Sequence, residues 1–153
     1  MDEELLNRNK NINRGFRKLE VWKEAIDLFA FVKEKITENK SISFKVKAQI
    51  EDSILSCSSN IAEGYGRRYL KENIQHINIA LASLCENYSQ IFALQNIGVI
   101  DKNWFDDYDN KLYSLENKLI QFNRSMIQRI DKEVWNSDYI LRETIEKYNS
   151  TGQ

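Results

Sequence analysis

One histidine, two cysteines and a Gly-Tyr-Gly turn are the features of this 153-residue chain best suited to chemistry. A di-iron centre between helices needs paired Glu-x-x-His motifs and two further glutamates. His76 is the single histidine, and the nearest acid upstream, Glu72, lies four residues away, so that centre is excluded. Cys57 and Cys85 fall among apolar neighbours, out of helical register with His76, and read as small hydrophobes rather than nucleophiles. One class of helical ribonuclease domain uses an arginine with a histidine a few residues later. Arg68 and His76 have seven residues between them, a longer gap than that motif uses. Gly64-Tyr65-Gly66 lacks the lysine, the preceding strand and the remaining glycines of a phosphate loop. No metal, cofactor or catalytic residue is therefore expected.

The informative stretch is Ser59-Asn60-Ile61-Ala62-Glu63-Gly64-Tyr65-Gly66-Arg67-Arg68. It reads as a helix end, a two-glycine turn and a basic doublet entering the next helix. Asn60 and Glu63 share a helical face, and a buried amide or carboxylate there needs hydrogen-bond partners. Ser83 and Glu86 on the returning helix could supply them, so these four residues are expected to form a structural polar network. Arg67 and Arg68 are expected to project from the turn toward phosphates or acidic groups. With Lys71 they form one basic cluster, and Arg14, Arg17 and Lys18 form another.

The elements that would position these groups are legible from apolar spacing. Residues 1–15 show no sustained periodicity and read as a flexible arm. Leu19, Trp22, Ile26, Phe29 and Ile36 then recur at three- and four-residue steps and predict a first helix with that face packed inward. A second stripe, Val21, Ala25, Leu28 and Val32, is expected to leave apolar surface for self-association. This helix should close near Asn39 in a left-handed conformation. Ser41 or Ser43 should cap a second helix, with Val46, Ile50, Ile54, Cys57 and Ile61 inward. A third helix carries Ile74, Ile77, Leu81, Leu84, Tyr88, Ile91 and Leu94 and stops at Gly98. Asp101 caps a fourth, marked by Phe105, Tyr108, Leu112, Leu115, Leu119, Phe122, Met126 and Ile130.

The chain holds no proline and five glycines, which suits long helices with few connections. The expected fold is all-α: an antiparallel up-down-up-down four-helix bundle over residues 16–132, followed by a 133–153 extension that could dock as a short helix around Trp135 and Tyr139. In such a bundle the first and third helices run the same way, which puts the two basic clusters at one end. The balance of 22 Lys+Arg against 23 Asp+Glu leaves a net charge of −1, so nucleic-acid binding would depend on that local patch. The polar start of the chain is not a signal peptide, and no stretch approaches a membrane span, so a cytoplasmic protein without membrane contact is expected.

The 59–68 segment also resembles the signature of the small bacterial four-helix bundle family, otherwise the 23S ribosomal RNA intervening-sequence protein family. That family is related to the accessory variability determinant proteins of diversity-generating retroelements. Its pattern runs roughly Q-I-R-R-S-x-x-S-I-x-S-N-I-A-E-G-x-x-R, then I-A-x-G-S-x-x-E. Gln49-Ile50, Ser53, Ser56, Ser59 through Gly64, Arg67, Ile79-Ala80, Ser83 and Glu86 match it, and Phe16 through Trp22 resembles the family's F-x-x-L-x-V-W start. Glu51 and Asp52 stand where the pattern has arginines, Ala82 where it has glycine, and His76 where an aromatic is common. The resemblance implies a non-enzymatic homo-oligomer, commonly a pentamer, with RNA, DNA, a reverse transcriptase or another protein as partner. Rival readings are a nuclease-like or nucleotide-processing helical enzyme, and a toxin–antitoxin or phage-associated interaction module.

Overall fold

Proline-free sequence with apolar residues at helical spacing leaves little alternative to helix, and the computed structural model bears this out. It describes residues 3–67 and 69–131, and among them there is no strand. A short helix α1 (Glu3–Asn7) and a 3-10 helix (Ile12–Lys18) precede four long helices: α2 (Glu20–Glu38), α3 (Phe44–Gly66), α4 (Leu70–Asn96) and α5 (Lys102–Asp131). Arg68 and the 133–153 extension lie outside the described residues. Among the described residues no helix is long and apolar enough to cross a membrane.

The helix ends follow from local chemistry. Ser43 Oγ accepts the Val46 N–H at 3.4 Å at the start of α3, and Asp101 Oδ1 accepts the Trp104 N–H at 2.9 Å at the start of α5. Gly98, at φ +75°, closes α4: its N–H reaches the Gln95 carbonyl at 2.9 Å, and the Val99 N–H reaches Leu94 at 2.9 Å. This is the paired bonding of a glycine-terminated helix. Asn39 departs from expectation. Its backbone is extended (φ −80°, ψ 103°) rather than left-handed. Its Nδ2 donates to the Val99 carbonyl at 2.8 Å and its Oδ1 accepts the Ser41 N–H at 2.9 Å, tying two interhelical turns together.

α2 packs against α3 and α5, and α4 packs against the same two. Side-chain bonds join early residues of one helix to late residues of the next: Ser53 to Gln90 and Asn60 to His76 between α3 and α4, Asn87 to Tyr108 between α4 and α5. Lys35 to Asp101 and Lys118 to Glu24 do the same between α2 and α5. Gly64 marks a close approach of α3 and α4, since a Cβ there would lie 2.8 Å from His76 Cβ and 3.3 Å from the Asn73 carbonyl oxygen.

The inward faces of α3 and, as far as Met126, of α5 are those the spacing predicts, with Val46 and Phe122 half-buried at their margins. The α2 expectation is overturned. Val21, Ala25, Leu28, Val32 and Ile36 are buried in the core, whereas Trp22, Ile26 and Phe29 are half-buried at its edge. The buried stripe fills the core, and the bulky Trp22 and Phe29 cover its flank. Val21, Leu28 and Val32 therefore supply no external face for self-association. α4 is also turned from its apolar stripe. Ile77, Leu84 and Ile91 are buried, but so are Asn73, Ser83 and Asn87.

Candidate functional site

The polar residues of α3 and α4 form two hydrogen-bonded chains, one near each end of their interface. In the first, the Arg67 guanidinium sets the direction, because it can only donate. Its Nε donates to His76 Nε2 at 3.0 Å. His76 is therefore neutral there, with its proton on Nδ1, which donates to Asn60 Oδ1 at 3.1 Å. Asn60 Nδ2 in turn donates to the Ser56 carbonyl at 2.9 Å and to Ser56 Oγ at 3.1 Å. Ser56 Oγ lies 2.9 Å from Ser83 Oγ, which itself donates to the Ile79 carbonyl at 2.9 Å. From His76 Nδ1 inward to Ser83, each donor thus has an acceptor. Glu63 closes the outer end, pairing with Arg67 Nη2 and standing 3.8 Å from His76 Nε2.

The second chain crosses the core. Tyr108 Oη donates to Asn87 Oδ1 at 2.8 Å, and Asn87 Nδ2 donates to the Ile50 carbonyl at 3.1 Å and Ser53 Oγ at 2.9 Å. Ser53 Oγ lies 2.8 Å from Gln90 Oε1, and Gln90 Nε2 donates to the exposed Glu86 at 3.1 Å. Asn87 and Tyr108 are fully buried, and burial raises the Tyr108 hydroxyl pKa above its ordinary value. Of the four residues expected to form one network, Asn60, Glu63 and Ser83 join the first chain, while Glu86 ends the second. His76 is the link the sequence reading missed. The Asn60, Glu63, Arg67 spacing of three and four was the available signal, because it aims three polar groups at one side of the next helix.

The basic residues divide by use. Arg17 organises the arm: its guanidinium donates to the carbonyls of Leu5 at 2.9 Å, Arg8 at 3.0 Å and Asn9 at 3.3 Å. The 3-10 helix then packs on α3, with Gly15 against the Tyr65 ring and Phe16 edge-on to Tyr65 and Trp22. Arg67 is held by Glu63 and His76. Arg14 donates to the Asn9 carbonyl at 3.3 Å, yet it remains exposed, as do Lys18 and Lys71. Glu51, which replaces an arginine of the resembled pattern, pairs with Lys33 of α2 at 2.6 Å.

A groove of about 550 Å³ between α2 and α5 has Leu28 and Phe31 in its lining and Glu24, Asp27, Asp107 and Lys111 among its polar groups. Its charge is the wrong sign for phosphate. Cys57 is buried, and burial pushes its thiol up to about 12, with the Glu116 charge a smaller cause. It is therefore a poor nucleophile.

Comparison with known proteins bears on the family and the fold. The sequence model of the 23S rRNA-intervening sequence protein family matches residues 17–121. A crystal structure of a protein of unknown function from the S23 ribosomal protein family of Bacteroides thetaiotaomicron superposes with a TM-score of 0.62 at 20% identity. The match covers 67% of this chain and 97% of that one, and at this identity it speaks to the fold alone. No functionally curated protein matches.

Proposed function

The chain belongs to the 23S rRNA-intervening sequence protein family, and from that membership we propose that it is a non-enzymatic, cytoplasmic, homo-oligomeric helical scaffold, pentameric as the resemblance implies. Its partner is nucleic acid or an enzyme that acts on nucleic acid, such as a reverse transcriptase. The helix contacts described above support an antiparallel up-down-up-down four-helix bundle as its subunit. Outward-facing Leu55 and Ile79, 43% and 40% exposed, are apolar groups available for subunit contact.

One observation carries the nucleic-acid reading. The arm folds onto the end of α3, and this brings exposed Arg14 and Lys18 to the end of the molecule where α4 begins with Lys71. Arg17 and Arg67 also make intramolecular bonds at that end, to backbone carbonyls and to Glu63 and His76 respectively. Repetition around an oligomer would multiply weak contacts. Sequence spacing discounts Arg68 with His76 as a catalytic pair; it is Arg67 that contacts His76. The same geometry favours a structural role for His76, whose two ring nitrogens are engaged by Arg67 and Asn60.

The test is a titration with single- and double-stranded RNA and DNA across a range of salt. Lys18→Glu/Lys71→Glu should weaken binding and flatten the salt dependence by about 0.9 per lost duplex contact. Equal affinity and slope in the variant would remove this patch. No binding by the wild type at low salt would leave a protein as the partner.

A further inference from the structure

We infer that the outer face of α5 pairs with the same face of a second copy of this chain, antiparallel and about a two-fold axis at Ile120. Tyr113, Ile120 and Ile127 recur every seven residues, which aligns them on one side of the helix in a row about 21 Å long at the helical rise. Tyr113 is 65% exposed, Ile127 is 41% exposed, and Ile120 is half-buried between them. The row therefore lies outside the core face of the same helix, where Tyr108, Leu112, Leu115 and Leu119 are buried. Large apolar side chains aligned on one accessible helix face mark a contact surface.

The symmetry of the spacing identifies the occupant. An antiparallel copy centred on Ile120 sets position 113 against 127, 120 against 120 and 127 against 113, so every apolar group of the row meets another. A contact in which one patch serves both subunits must be self-complementary in this way. Charge agrees and fixes the direction. Glu116 and Arg124 stand four residues to either side of Ile120. Antiparallel pairing brings Glu116 of each copy level with Arg124 of the other, whereas a parallel copy would set like charges together. Among the described residues neither side chain has an ion-pair partner. Burial, and then the Asp109 charge, raise the Glu116 pKa, so a cation carried in by the second copy relieves a carboxylate that its own subunit leaves uncompensated.

A single helix face is small beside the roughly 800 Å² per partner of a stable interface, so the pairing is weak and grows with concentration. It goes beyond the ring proposed above. An isologous contact joins copies in twos and cannot close a five-membered ring, so this face joins one ring to another, or two subunits where no ring forms. The ring's own contacts stay with other surfaces, Leu55 and Ile79 among them.

Disulfide trapping on the full chain, in a Cys85→Ser background and at high protein concentration, tests the pairing. On mild oxidation Ile120→Cys should cross-link between chains at least about tenfold faster than Ser114→Cys, an exposed position on another side of α5, because a docked copy raises the effective thiol concentration. Tyr113→Cys and Ile127→Cys should each cross-link slowly alone and rapidly when mixed, a measurement that stands even where Ile120→Cys disturbs the fold. Adding Arg124→Glu should slow the Ile120→Cys cross-link several-fold, and adding Glu116→Arg to that variant should restore it. Equal rates at 114 and 120 overturn the inference. So does self-cross-linking of Tyr113→Cys as fast as the mixture, which marks a parallel contact, or a rate indifferent to the charge at 124. Light scattering reports the ring separately: a pentamer with no trapping at Ile120 removes this face and leaves the ring.

Discussion

Replacing Gly64 by alanine adds one methyl group where α3 lies close against α4. The new Cβ would sit 2.8 Å from His76 Cβ and 3.3 Å from the Asn73 carbonyl oxygen, against an ordinary contact of 3.4–4 Å. Both obstructing atoms are fixed to the backbone of α4, so relief requires the helices to separate rather than a side chain to rotate. Overpacking of this kind costs about 1–3 kcal/mol. Alanine's better helix propensity returns at most about 1 kcal/mol, so a net loss of roughly 1–2 kcal/mol is expected. In a domain of this size that lowers Tm by roughly 3–6 °C. Separation would also stretch the Arg67–His76–Asn60 chain, which crosses the same gap. Urea unfolding followed by circular dichroism gives the free-energy change directly, with the slope checked for two-state behaviour. A Gly64→Ala protein as stable as the wild type, or more so, would refute the close crossing and the explanation it gives for glycine at the end of the Asn-Ile-Ala-Glu-Gly motif.

Asn87→Ala leaves the buried Tyr108 hydroxyl and Ser53 short of a partner and should cost roughly 2–3 kcal/mol in thermal or urea unfolding. Combining Asn87→Leu with Tyr108→Phe should cost less than the two changes summed, because no buried group is then orphaned. Iodoacetamide at mildly alkaline pH should label exposed Cys85 and spare Cys57 until the protein unfolds, as read by mass spectrometry; equal labelling would place Cys57 outside the core. Because the Cys57 pKa is raised on folding, its thiol contributes fully below the unfolded cysteine value of about 8.5 and stability should decline above it. Asp101 has the opposite sign. Lys35 foremost, then the Trp104 N–H, holds its carboxyl below the usual range, so its stabilisation is present at neutral pH and is lost as pH falls through the folded value. Asp101→Asn should therefore flatten the acid limb of a Tm-against-pH curve, and an unchanged limb would contradict the assigned cap and ion pair.

α3 and α5 were readable because their apolar residues form single stripes bounded by polar ones. α2 was not, because two apolar stripes run side by side and periodicity alone cannot say which is central. In the fold the stripe with Val21, Ala25 and Val32 is the buried one, and Trp22 and Phe29 cover its flank. α4 was misjudged for a different reason. Asn73, Ser83 and Asn87 face inward, and for Ser83 and Asn87 the partners that make burial tolerable stand on other helices. Such residues are invisible to a hydrophobic pattern. The intramolecular contacts of the basic residues were not legible in the sequence. Arg17 and Arg67 are consumed by backbone carbonyls, Glu63 and His76, contacts that depend on a folded arm and a neighbouring helix.

Light scattering of the full-length protein at micromolar concentration bears most directly on the proposed scaffold. A homo-oligomer should give a mass several times 18.1 kDa, five times for a pentamer, unchanged on moderate dilution. A single species of 18.1 kDa would contradict it.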